Sequence, residues 1–251
     1  MNLPDPAPEA AYGEPGPVRG RGGGLCRWGP VPAAASAGPP VASGIGVGPH
    51  PEPWPDDPRL DPELLAGGDR RNVVDRYRYW RVPAIMAELD AERAGLRPAR
   101  LEVAIQNWQH DFNIGSIVRT ANAFNVTLVH ILGRRRWNRR GAMVTDRYLH
   151  VEHRAEVADL VAHCGTQRLT LVGVDNLPGS RPLESTPLPP ACCLVFGSEG
   201  SGLSAELVEA CALLVAISQY GSTRSLNAGA AAAIAMYQWS LSHRWGRAAD
   251  G

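Results

Sequence analysis

From residue 101 onward the chain alternates two hydrophobic patterns. Solid apolar blocks of strand length cover residues 101–106, 126–132, 168–175, 192–196 and 213–218. Blocks without polar alternation are what strands buried on both faces look like. Between them the apolar positions spread to helical spacing. Ile114, Ile117, Val118, Ala121 and Phe124 recur as one face of a helix over 114–124, and further helices are predicted over 155–164, 204–211 and 225–243. Ser204 and Ser225 stand where N-caps belong, and Asn113 is a third candidate. Strand and helix in alternation predict an α/β fold: a mostly parallel sheet with helices on both faces.

Upstream the pattern changes twice. A helix is predicted over 72–91, with Pro83 near its start or at a break. Further back, residues 1–58 hold 14 of the 22 prolines and 11 of the 27 glycines. A stretch so rich in both cannot bury enough apolar surface to fold. The predicted organisation is a disordered tail over 1–58, a helical extension over 59–98 and an α/β domain over 99–246. The extension carries Arg70, Arg71, Arg76, Arg78 and Arg81 beside Tyr77, Tyr79 and Trp80. That mixture suits RNA backbone contact and base stacking. It equally describes a helix whose aromatics pack on the core while its arginines stay solvated.

Composition adds constraints. Formal net charge is zero, so there is no bulk attraction to nucleic acid. The tail holds three arginines and six acids, which leaves 22 arginines against 19 acids in the remainder, and there is no lysine. Cys26, Cys164, Cys192, Cys193 and Cys211 form no C-x-x-C pair, and the neighbours Cys192 and Cys193 point to opposite faces of one strand. Reduced, buried thiols in a cytoplasmic protein are the expectation. His150, His153, His163 and Cys164 fit no metal-ligand spacing and are expected to be scattered surface groups, so no metal is predicted. No apolar run has the length of a membrane span, and no secretory signal pattern opens the chain.

Three loops at the expected carboxyl ends of the strands carry chemistry, and that is where open parallel sheets bind ligands. The first, 107–119, contains Asn113-Ile-Gly-Ser-Ile-Val-Arg119, with Arg119 projecting from the polar side of its helix. Alone, it reads as an ordinary surface arginine. The second is Phe196-Gly-Ser-Glu-Gly-Ser-Gly-Leu-Ser204, whose glycines let backbone approach a ligand. It lacks the lysine of a phosphate loop, and Glu199 disfavours phosphate there, so a nucleoside-like ligand fits better. The third is Ile217-Ser-Gln-Tyr-Gly-Ser-Thr-Arg-Ser-Leu-Asn227, followed by an alanine-rich helix slim enough for close approach.

Taken together, Asn113-x-Gly-Ser-x-x-Arg-Thr-Ala-Asn122, Phe196-Gly-Ser-Glu-Gly-Ser-Gly-Leu203 and Ser225-Leu-Asn227 resemble, in order and spacing, the three motifs of the SpoU/TrmH branch of the SPOUT methyltransferases. The resemblance covers about residues 101–243. It implies a deep trefoil knot at the C-terminal end, a homodimer, and methyl transfer from S-adenosylmethionine to a ribose 2′-hydroxyl of tRNA or rRNA, with tRNA slightly favoured. It implies cofactor contacts at Gly197, Gly200, Ile217 and Leu226. It assigns catalytic positions to Arg119, Asn113, Glu199, Ser225 and Asn227, with Arg119 acting in its own or the partner subunit. A guanidinium keeps its proton at neutral pH, so Arg119 is expected to grip phosphate and polarise the hydroxyl. Arg134, Arg135, Arg136, Arg139 and Arg140, grouped around Trp137, are expected RNA contacts.

Two departures qualify the resemblance. Ser218-Gln219-Tyr220 stands where many members carry Pro-Met, and the N-terminal part does not look like the small RNA-binding domain of several rRNA-directed members. A catalytically silent RNA-binding relative is one alternative. A dinucleotide enzyme is another, although its glycine loop would follow the first strand rather than the fourth.

Overall fold

A computed structural model describes residues 46–107, 113–198 and 200–245. Seven strands form one sheet: β1 (Arg100–Asn107), β2 (Leu128–Gly133), β3 (Val151–Arg154), β4 (Thr170–Val174), β5 (Arg181–Pro182), β6 (Ala191–Phe196) and β7 (Leu213–Ala216). Their order is β3-β2-β1-β6-β4-β7-β5, and every pairing is parallel. The predicted parallel α/β sheet is therefore observed, with two edge strands that the apolar pattern does not announce. β3 has the half-exposed sequence Val-Glu-His-Arg, and β5 is only Arg-Pro.

Two cores follow from the period-2 alternation of the strands. Leu101, Val103 and Ile105 of β1 face helices α3 (Asn113–Ala123) and α6 (Ala228–Ser240), and Cys192 joins that side. Ala104 and the adjacent Cys193 face α4 (Val157–Gln167) and α5 (Ala205–Ala210). The neighbouring cysteines thus point to opposite faces, as expected. Burial pushes the Cys192 thiol above its ordinary range and the Cys211 thiol up to about 11, so both stay protonated and unreactive. No helix among the described residues is long and apolar enough to cross a membrane.

The upstream region departs from expectation. Residues 1–45 lie outside the described residues; of 46–58, assigned to the tail, residues 51–56 are exposed, but the first positions join the fold. Val47 exchanges backbone hydrogen bonds with Asp69 and is buried with Leu65 and Tyr79. The predicted helix over 72–91 is instead a 3-10 turn (Asp75–Tyr77) followed by α2 (Val82–Gly95), preceded by α1 (Pro62–Gly67). The break has a local cause. The buried Asp69 carboxylate accepts from Arg71 and from the Tyr79 backbone, and Tyr79 is left-handed at φ 62°. Pro83 then starts α2, where its missing N–H is harmless. Tyr77 and Tyr79 are only 5% and 4% exposed, so they serve packing rather than base stacking.

Candidate functional site

The glycine loop and the third loop meet at the carboxyl ends of β4, β6 and β7. There they enclose a cavity of about 540 Å³ whose walls include Gly197, Gly200, Ile217, Ser225, Leu226 and Asn227. The sequence reading named all six. Its geometry begins with backbone crowding: a Cβ on Gly197 would lie 2.1 Å from the Gly202 carbonyl carbon, so no other residue fits there. Ser198 and Gly202 exchange backbone hydrogen bonds at 3.1 and 2.9 Å, which closes the loop. Gly202 itself is left-handed, with φ +65°.

Three further polar side chains stand on the cavity wall: Ser198 and Gln219 within the loops already singled out, and Asp175 outside any motif. Asp175, at the end of β4, accepts from the Leu203 N–H at 2.8 Å and from the Asn176 N–H at 2.8 Å, and so anchors the glycine loop. The Ser198 hydroxyl is buried and the Gln219 carbonyl oxygen is enclosed, and among the described residues neither has a hydrogen-bond partner. Orphaned polar atoms on a cavity wall are groups that a polar ligand would satisfy. At the start of the third loop the Ser218 hydroxyl lies beside the Glu184 carboxylate and holds that acid below its usual range. Glu199 lies outside the described residues.

Asn227, not Ser225, caps α6. Its side-chain carbonyl accepts from the N–H groups of Gly229 and Ala230 at 3.0 and 3.2 Å, so Ser225 and Leu226 stay in the loop, at the cavity wall. Asn227 Nδ2 also donates to Asn113 Oδ1 at 2.8 Å. Asn113 is therefore a buried member of the first turn of α3 and, contrary to the capping expectation, a link between α3 and the third loop. The helices approach closely here: a Cβ on Gly229 would sit 3.4 Å from the Ser116 Cβ.

Arg119 is exposed on the outward side of α3, opposite its buried Ile114, Ile117, Val118 and Ala121. It is not among the cavity residues. The arginine run lies on the other flank of α3. Gly115 packs so tightly on Gly141 that a Cβ there would come within 2.8 Å of its backbone. Asn107, at the end of β1, donates to the Arg134 and Arg136 carbonyls at 2.6 and 2.9 Å. Arg134, Arg135, Arg136, Arg139 and Arg140 are all exposed. Asn107 opens the 107–119 loop but draws no role from the sequence, because nothing local distinguishes an asparagine ending a strand.

The histidine reading needs correction. His163 is not a scattered surface group. Its Nε2 lies 2.9 Å from the Glu102 carboxylate, which the wholly buried His130 also contacts, at 2.8 Å. Arg154 donates to Nδ1 of His130, at 3.3 Å, and lies 3.1 Å from Nδ1 of His163. A positive guanidinium at both Nδ1 atoms fixes the protons on Nε2, where they donate to Glu102. That set is a satisfied hydrogen-bond cluster and a poor metal site, because metal-bound imidazoles donate from the far nitrogen to an acceptor. Burial opposes the charge on Glu102, but the hydrogen bonds of His130 and His163 and the charge of Arg100 outweigh it and hold the carboxyl below its usual range. Burial likewise lowers His130, and Glu102 does not fully offset it. A charged Glu102 carboxylate accepting from a neutral His130 explains both directions.

Residues 100–237 match the SpoU rRNA Methylase family. The tRNA (guanosine(18)-2′-O)-methyltransferase of Escherichia coli is 26% identical over 153 residues, which are 59% of this chain and 66% of that enzyme. The enzyme of the same name from Borreliella burgdorferi is 26% identical over 145 residues, or 57% and 66%. The match thus spans just under two thirds of these relatives. Among solved structures, the A. aeolicus TrmH/SpoU tRNA modifying enzyme superposes with a TM-score of 0.54 at 22% identity, covering 65% of this chain and 86% of that one. The SpoU methyltransferase AviRb from Streptomyces viridochromogenes, in complex with AdoMet, gives 0.54 at 24% identity, covering 60% and 63%. At these identities the structures establish a shared fold.

Proposed function

The chain belongs to the SpoU rRNA Methylase family, and on that premise we propose that it transfers a methyl group from S-adenosylmethionine to a ribose 2′-hydroxyl of RNA, tRNA in preference to rRNA. The observation that carries this reading is the convergence of the 197–202 and 217–227 loops on one cavity whose Ser198 and Gln219 oxygens await a partner. The backbone at Gly197, Gly200, Ile217 and Leu226 would hold the cofactor, with Asp175, Ser198 and Gln219 as further polar contacts. The bound cofactor supplies an already electrophilic methyl group. What remains for the protein is alignment of the target oxygen and help with its proton.

Asn227, fixed by its bonds to α6 and Asn113, and Ser225 would orient the ribose; Glu199 is assigned to the same site on its motif position. Arg119 would grip the target phosphate and polarise the hydroxyl. Its outward position favours action across a homodimer interface. The exposed Ile234 and Tyr237 on α6, with Leu241 just beyond its end, offer the apolar surface for a second copy. A C-terminal segment threaded as a deep trefoil knot is part of this reading, with β6 between β1 and β4 and β7 beyond as the strands it would join. A cytoplasmic activity belongs to the same reading.

The test is calorimetric titration with S-adenosylmethionine. The native chain should bind at micromolar concentrations and Gly197→Ala should not. Binding of NAD with no response to S-adenosylmethionine would overturn the assignment.

A further inference from the structure

A second cavity, of about 660 Å³, lies at the opposite edge of the sheet, between β2, β3 and the segment 134–149. Its apolar floor is Ile131, Trp137, Leu149 and Val151. Three arginines, Arg135, Arg139 and Arg147, stand around it with two carboxylates, Asp146 and Glu152. Arg139 is 3.4 Å from Asp146 and sits over the Trp137 ring at 5.5 Å, and Glu152 is held by Arg154 at 2.5 Å. Arg135 and Arg147 have no ion-pair partner among the described residues and are exposed. The loop also contains two successive left-handed residues, Met143 at φ 48° and the β-branched Val144 at φ 66°. Val144 lines the cavity and is 55% exposed. Such conformations are unfavourable and gather at binding segments.

We propose that this cavity is a subsite for one unstacked nucleotide of the RNA substrate, its base on the apolar floor and its phosphate at Arg135 and Arg147. The inference rests on the RNA reading above and adds a place on the RNA beyond the target ribose. The chemistry selects a nucleotide over a bare anion. The two lining carboxylates, held by Arg139 and Arg154, keep oxygens that accept from the N–H groups of a base, which a bare phosphate does not offer. Apolar floor, aromatic wall and arginine rim together are the components that hold single-stranded nucleotides. Position supports it too. The first turns of α3 touch the cofactor cavity through Asn113–Asn227 and the arginine segment through Gly115–Gly141. An RNA strand placed at one cavity therefore crosses α3, and the exposed Arg119, on its way to the other.

The experiment uses the full chain and a tRNA transcript containing 4-thiouridine. Affinity is measured across a salt series for the native protein, for Arg135→Gln with Arg147→Gln, and for Arg181→Gln on the strand at the opposite sheet edge. The double variant should bind roughly tenfold more weakly, with a log–log salt slope smaller by about 1 to 2, and should bind S-adenosylmethionine as the native chain does. Arg181→Gln should stay near native, and photo-cross-links should map to Trp137 or Val144. If the native protein binds and methylates the RNA while the double variant matches Arg181→Gln, the subsite is wrong and the methyltransferase reading stands. If the native protein binds no RNA at all, the methyltransferase reading falls, and the subsite with it.

Discussion

Among single residues, Glu102 organises the most charge. Its buried carboxylate collects His130, His163 and Arg100, and removing it leaves those groups without their acceptor inside the sheet. Glu102→Ala should cost on the order of 3 to 5 kcal/mol of stability, measured by urea unfolding. The pH dependence has a definite sign. Glu102 and His130 both titrate below their ordinary values in the fold. Both therefore contribute stability above their unfolded values that is lost as pH falls. The melting temperature should decline from about pH 6.5 downward, the range being set by the ordinary values of histidine and glutamate. His130→Gln should flatten the upper part of that decline. For Arg119 the expectation concerns turnover: Arg119→Ala should lower methyl transfer on the order of a hundredfold while cofactor affinity stays unchanged, checked by kinetics beside calorimetry. Residue-level legibility was uneven. Gly197 and Asn227 stand in motifs and Ser198 and Gln219 in the same loops, but Asp175 lies in no motif and acquires meaning only when three strand ends converge. The Glu102 cluster joins residues 28 and 61 positions apart, which no local spacing can reveal.

At the scale of elements, α3 is the component between the two cavities. Its inner face packs on the sheet, its first turn is bonded to Asn227, and Gly115 is pressed against Gly141. Gly115→Ala puts a methyl group into backbone at 2.8 Å, which neither a rotamer change nor a flexible neighbour can absorb. It should destabilise the protein by about 1 to 3 kcal/mol, and it should weaken RNA binding more than cofactor binding, by displacing the arginine segment. Parallel melting and filter-binding measurements separate the two effects. The central strands and α3 were readable because strands buried on both faces leave solid apolar blocks and α3 leaves an apolar stripe. β3 and β5 were not, since edge strands need few apolar residues and are defined by the neighbour they pair with. The break before α2 was hidden for a similar reason: it depends on the Asp69 carboxylate, ten residues from Tyr79.

For the whole molecule, the parallel sheet with both faces covered accounts for a pocket at its carboxyl end, and the exposed apolar side chains of α6 are the surface on which the proposed pairing of two copies would rest. Tyr237→Asp should yield a monomer in sedimentation and, with Arg119 acting across the interface, an inactive one that retains its fold. The stretch 46–58 is part of the folded body through Val47, so deletion of residues 1–58 should lower stability more than deletion of 1–45. The claim on which everything else depends is methyl transfer to ribose. Its most direct test is mapping of 2′-O-methyl groups on tRNA and rRNA incubated with the full chain and S-adenosylmethionine, with Arg119→Ala run in parallel. The account predicts a discrete ribose methyl on tRNA that the variant does not make. Methylation of a base in place of the ribose, or no methylation of either RNA despite cofactor binding, would contradict it.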